Sequence, residues 1–352
     1  MCIKICRQSN KMDETTPSNP EEYQYLNIIQ KIISVGTWEE GRNGRTKSIF
    51  GEMMRFSLAN GQIPILTTKR TAWKTCLREL LWFIRGETDN RLLQEQGVHI
   101  WDGNTSREFL DSRGLNHYRE GLIGPGYGFQ WRHFGGEYDA ATGKGLAKGL
   151  TEGLAKGLTT GLDKGLTEGL TTGLDKGLAE GLAEGLTSRK SLGIDQLRQI
   201  IDALKDPAQR TSRRLIMTAW NPLQLDEMAL PPCHMICQFN VHDGNKLSCS
   251  MTQRSCDELL GVPFNIASYS FLTHLIAHHC GLEAHEFVYF KGNCHLYEEH
   301  IEAATTQLQR TPFAFPTLEI RVRRENIEDY IVDDFVVNGY KSHEAIKAKM
   351  VA

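Results

Sequence analysis

Residues 230–265 read LPPCHMICQFNVHDGNKLSCSMTQRSCDELLGVPFN, and this stretch decides the fold. Two runs, 235–241 and 246–253, mix apolar and polar residues, and Asp243-Gly244-Asn245 between them has the composition of a hairpin turn. Folding back across that turn brings Cys233, which follows Pro231-Pro232, to the same side as Arg254 and its neighbour Ser255. A thiolate beside a fixed cation is a nucleophile of lowered pKa. A cysteine in a strand is equally a small core hydrophobe, and Cys237, Cys249 and Cys256 are read that way. For Cys233 the residues alone leave both readings open.

Working outward, helix and strand patterns alternate. Asn19-Pro20-Glu21-Glu22 reads as a capped helix start, with Leu26, Ile29 and Ile33 on its apolar face, Ile28 and Ile32 widening it, and Gly36 ending it. GRNGRTK (41–47) reads as a loop carrying Arg42 and Arg45 before a strand over 48–58. Thr71 is expected to cap a helix over 73–85, where Leu77, Leu80, Leu81 and Ile84 follow helical spacing and Glu79 falls beside the stripe. GPGYGFQW (124–131) puts Tyr127 in a glycine-rich loop. A helix over 193–207 turns Leu197, Ile200, Ile201 and Leu204 inward, and Arg213 and Arg214 precede the next apolar strand. Asn265 is read as the start of a long helix bearing His274, His278 and His279, and GNCHLYEEH (292–300) as the opening of another. The histidines lack an HExxH pattern, so no metal is expected.

Composition sets the bounds. The chain has 352 residues, a formal charge of −3 and nine cysteines without scaffold spacing. No global field favours nucleic acid or a membrane surface, and no apolar run suits a secretory leader or a membrane span. A reducing, cytoplasmic setting is the expectation. From 145 to 186 a four-residue unit ending in Gly-Leu repeats eleven times. Glycine at that frequency costs a helix about 1 kcal/mol per repeat, so 143–190 is read as a disordered, low-complexity insertion. Residues 1–19 are read as a disordered tail, and 20–352 as one domain interrupted by the insertion.

At LPPCHMICQF (230–239) and QRSCDELLGVPFNIASYSFLTHLIAHHCGL (253–282) the chain resembles the thymidylate synthase family. LTTKR (66–70), ELLWFIRGET (79–88), GFQWRHFG (128–135) and HLYEEHIE (295–302) extend the likeness in order. The resemblance implies an α/β (α+β) fold: a large mixed sheet packed by helices, paired through the sheet into an obligate homodimer. It implies reductive methylation of dUMP to dTMP, with 5,10-methylenetetrahydrofolate as co-substrate, no metal, and a covalent adduct on Cys233. Glu79, Tyr127, Arg254 and Asn265 would share the catalysis. Arg42, preferred over Arg45, together with His234, Gln253, Arg254, Ser255, Asp257, Asn265, His295 and Tyr297, would hold the nucleotide, Arg254 at its phosphate. Arg213 and Arg214 would reach its phosphate across the dimer. Ile100, Trp101, Asn104, Leu230, Asp257, Gly261, Phe264 and Val351 would face the folate. The sequence departs from the family pattern at Gly126, Thr252 and Asn293.

Asn265 offers one donor and one acceptor to a base, which matches uracil. Aspartate there would suit a deoxycytidylate hydroxymethylase, the nearest alternative. Pro232-Cys233 with Cys237 hints at a zinc deaminase, but the spacing is one residue too long and no upstream H-x-E occurs. A non-catalytic interaction protein built around the repeat is the third reading.

Overall fold

The computed structural model describes residues 19–41, 44–145 and 193–349. Arg42, Val351, the segment before Asn19 and nearly all of the Gly-Leu stretch therefore lie outside the described residues.

In chain order the helices are α1 (Glu22–Val35), α2 (Trp73–Ile84), α3 (Arg91–Gln94), α4 (Asp102–Thr105), α5 (Arg107–Ser112), α6 (Gly128–His133), α7 (Gln196–Lys205), α8 (Gly261–Cys280) and α9 (Ile301–Leu308). The strands are β1 (Thr37–Gly41), β2 (Gly44–Ser57), β3 (Tyr138–Asp139), β4 (Lys144–Gly145), β5 (Ile216–Thr218), β6 (His234–His242), β7 (Lys246–Asp257), β8 (Glu283–Tyr297), β9 (Thr317–Ile320) and β10 (Phe335–Asn338). Six of them form one sheet in the order β1-β2-β8-β7-β6-β5. All its pairings are antiparallel except β7 with β8, which α8 joins as a crossover, so the sheet is mixed as expected.

The hairpin that opened the reading is β6–β7. Asp243 and Gly244 take left-handed backbone, φ 48 and 84, which aspartate tolerates and glycine adopts freely. Helix α8 is buried nearly all round, as a central helix must be. It packs on β7, β8 and α2, while α1 covers β2. The other face of the sheet leaves Phe50 84% and Met53 48% exposed, with Phe290 and Ile236 beside them.

Four local expectations are corrected. The 41–47 segment is no open loop but the tip of the β1–β2 hairpin, whose strands run up to Gly41 and resume at Gly44. Thr71 makes no capping bond to α2, which begins behind Ala72. Helix α8 starts at Gly261, with Pro263 in its first turn where a missing N–H costs nothing, so Asn265 sits one turn inside. His295 and Tyr297 end β8, and the helix follows them.

Candidate active site

Strand ends β6, β7 and β8, the start of α8 and the middle of α2 converge on a cleft of about 380 Å³. Cys233 stands half-buried at its floor, just before β6. The hairpin register fixes Arg254 beside it: Arg254 N–H donates to the Cys233 carbonyl at 2.9 Å, and Nη2 lies 4.0 Å from Sγ. The guanidinium is held by the carbonyls of Pro232 (3.0 Å) and Pro231 (2.9 Å), in a segment that lies just ahead of β6. Two effects on the Cys233 thiol oppose each other: burial pushes it up, and this outweighs the downward pull of the Arg254 guanidinium.

Glu79 emerges from α2 into the same cleft. Burial lifts its carboxyl from the ordinary 4.5 to about 7, and an N–H from Trp101 at 2.7 Å opposes this in part. The group is therefore poised to give or take a proton near neutrality. Tyr127 precedes α6 at φ 36, and its hydroxyl accepts the Cys233 N–H at 2.9 Å. Gly128 is needed next to it, because a Cβ there would meet the Phe83 carbonyl oxygen at 2.5 Å. His234, bonded to the Tyr269 hydroxyl at 2.8 Å, is pushed by burial to about 3 and is neutral.

Gln253, Ser255, Asp257, Asn265, His295 and Tyr297 line one half of the cleft. The Asn265 amide meets no hydrogen-bond partner among the described residues and is free for a ligand. Gln253 is already engaged, accepting from Tyr289 at 2.6 Å and donating to the Ser255 carbonyl at 2.8 Å. The His295 ring is held by the Asn293 side-chain oxygen at 2.9 Å. Asp257 accepts the N–H groups of Leu259 and Leu260, which shapes the entry to α8. Ile100, Trp101, Asn104, Leu230, Gly261 and Phe264 form the other, more apolar half. Leu260 joins them unanticipated, although its place between Asp257 and Gly261 in the motif could have flagged it.

Arg213 and Arg214 are not brought in: both are exposed ahead of edge strand β5 and neither lines the cleft. Arg45 pairs with Glu298 at 2.9 Å and lies over Trp38, also away from it. The three histidines of α8 diverge. His274 meets the Gln62 carbonyl, His278 that of Val322, and His279 the Lys205 ammonium. Among the described residues no three potential ligands cluster for a metal.

A half-buried thiol, a carboxyl near neutrality, an amide without a partner among the described residues and an apolar lining are thus gathered in one space. The family model for thymidylate synthase matches residues 23–352. A probable thymidylate synthase of Schizosaccharomyces pombe is 46% identical over 94% of this chain and 48% of its own. The bifunctional dihydrofolate reductase-thymidylate synthase of Leishmania major is 45% identical, over 95% of this chain and 56% of its own. The thymidylate synthase of Equine herpesvirus 2 is 43% identical over 94% of this chain and 98% of its own. The chain therefore spans about half the length of the first two and nearly all of the third. On the match over 23–352, the chain belongs to the thymidylate synthase family.

Proposed function

We propose that this chain converts dUMP to dTMP with 5,10-methylenetetrahydrofolate. The observation that carries this is the Cys233 sulfur facing, across one cleft, the unpartnered Asn265 amide and the near-neutral Glu79. Asn265 accepts from the uracil ring N–H and donates to the adjacent carbonyl, so the base is held by a complementary edge. Cys233 then adds to carbon 6. Its thiol gives up its proton to solvent as the sulfur adds, and Arg254 beside it steadies the thiolate charge. The negative charge passed to the ring carbonyl is met by the Asn265 N–H, with Glu79 supplying a proton to that side. Tyr127, its hydroxyl already at the Cys233 backbone, is placed to help remove the proton from carbon 5.

The apolar half fits a pterin: Ile100, Trp101, Leu230 and Phe264 give it faces to pack on, and Asn104 and Asp257 give polar anchors. When bound, the folate supplies both the one-carbon unit and the hydride. Holding both ligands in one cleft provides the proximity term. His295 and Tyr297 hold the sugar hydroxyl, with Asn293 fixing the His295 ring.

The phosphate site is completed by a second copy. The sheet face bearing Phe50, Met53, Phe290 and Ile236 is the dimer surface, and Arg213 and Arg214 of one protomer serve the other's cleft. Arg42 and Val351 are assigned to phosphate and folate by family resemblance alone. The 143–190 stretch is an insertion within the domain, a reading supported by the described residues Gly145 and Gly193 both lying against His133. A reducing, cytoplasmic setting completes the reading, in keeping with the seven free thiols among the described residues.

The test is mass spectrometry after incubation with 5-fluoro-dUMP and methylenetetrahydrofolate. A ternary adduct on the peptide carrying Cys233 is expected; an unmodified peptide would overturn the proposal.

A further inference from the structure

Beneath the nucleotide half of the cleft lies a buried pair of charges that no step above uses. Lys291 on β8 donates to both carboxylate oxygens of Glu258, the residue after β7, at 2.9 and 3.0 Å, and both side chains are 0% exposed. Such a pair seldom stabilises a fold beyond what apolar residues of the same volume would do, because desolvation consumes the attraction. Its value lies in direction: an ion pair fixes where its two backbones stand.

Those backbones carry the site. The Glu258 N–H donates to the His295 carbonyl at 3.0 Å, and Asp257, one residue earlier, is the cross-strand neighbour of His295. The Glu258 carbonyl is itself held by the Tyr25 hydroxyl at 2.7 Å. On the other side the Lys291 ammonium stands 5.7 Å from the Tyr289 ring, and Tyr289 bonds Gln253, which bonds the Ser255 carbonyl. One buried pair is thus linked to the cleft-lining residues Ser255, Asp257 and His295.

We infer that Glu258 and Lys291 are positioning residues for the sugar end of the nucleotide, locking the end of β7 against β8 so that His295 meets the 3′-hydroxyl. This rests on reading the cleft as a deoxyuridylate site. Glu258→Ala alone strands an ammonium in the interior and can unfold the chain. The comparison therefore uses the paired apolar variant Glu258→Leu/Lys291→Met, with Glu258→Gln as the milder change, and far-ultraviolet circular dichroism to check folding.

Binding of dUMP and of its 2′,3′-dideoxy analogue is measured by calorimetry, and turnover of dUMP by dihydrofolate formation. The folded variants are expected to lose about tenfold in affinity and KM for dUMP, the size of one weakened hydrogen bond, with kcat within about twofold. Affinity for the dideoxy analogue should stay as in the wild type. Equal losses for both nucleotides, or none for either, would overturn the inference. A wild-type chain that binds dUMP yet yields no dihydrofolate would instead sink the proposed reaction and leave the binding comparison valid.

Discussion

Glu79 ties chemistry to stability at a single residue. Its carboxyl sits at about 7 in the fold against an ordinary 4.5, and burial is the cause. Between those values the unfolded chain gives up the proton while the folded chain keeps it, so the residue's contribution to stability falls as pH rises from 4.5 through 7. At 1.36 kcal/mol per unit the loss is on the order of 3 kcal/mol above neutrality. Glu79→Gln keeps an oxygen for the Trp101 N–H and removes that penalty. Urea denaturation should show the variant more stable than the wild type near pH 8 and no different near pH 4, while its turnover collapses. An unchanged difference at the two pH values would show that the carboxyl is not desolvated. Asn265 gives the second prediction at this scale. Asn265→Asp replaces the donor proposed to meet the uracil carbonyl with an acceptor and should relax or reverse the proposed preference for dUMP over dCMP, read from relative rates on the two nucleotides. Unchanged relative rates would rule out its role in choosing the base.

At the scale of elements, what could be read from sequence was whatever local periodicity determines. The β6–β7 hairpin, α1 and α7 stand where their apolar spacing puts them, and the hairpin's register is why Cys233 and Arg254 could be paired in advance. Boundaries set by longer-range contacts were not legible. His295 and Tyr297 belong to β8 because β2 pairs with both and β7 with His295, which no local pattern announces. The raised thiol of Cys233 also escaped, since burial depends on the folded cleft and the neighbouring cation alone argued the other way. The cap of α7 was missed as well, although aspartate one residue before the helix is a readable signal. Asp195 accepts the Arg198 N–H at 2.9 Å and also takes the Arg132 guanidinium at 3.0 Å. Asp195→Ala should therefore cost about 1–2 kcal/mol in chemical denaturation, since it removes a cap and the nearer of the two carboxylates that pair with Arg132, Glu328 at 3.6 Å being the other. A loss below about 0.5 kcal/mol would mean that neither bond matters to the fold.

For the whole molecule, the decisive question is whether each cleft borrows its phosphate ligands. Arg213 and Arg214 lie exposed at the β5 edge of the sheet and do not line their own chain's cleft, whereas Phe50, Met53, Phe290 and Ile236 leave one sheet face apolar and uncovered. A two-fold pairing through that face makes every site a composite: sulfur from one protomer, guanidinium groups from the other. Mixing two dead variants tests this directly. A Cys233→Ser protomer lacks the sulfur but offers intact arginines, and an Arg213→Ala/Arg214→Ala protomer keeps the sulfur but cannot serve its partner. In the mixed dimer one site has neither contribution and the other has both. Random exchange at equal amounts makes half the dimers mixed, so about a quarter of wild-type turnover should return on mixing, though each variant alone is nearly inactive. Phe50→Asp, which buries a charge in the proposed interface, should abolish that recovery when carried by both variants and shift the protein to monomer in sedimentation. If mixing restores nothing while the dimer persists, the arginines act elsewhere. If the arginine variant alone retains full turnover, each cleft holds its phosphate with its own residues, and the second copy is not part of the chemistry.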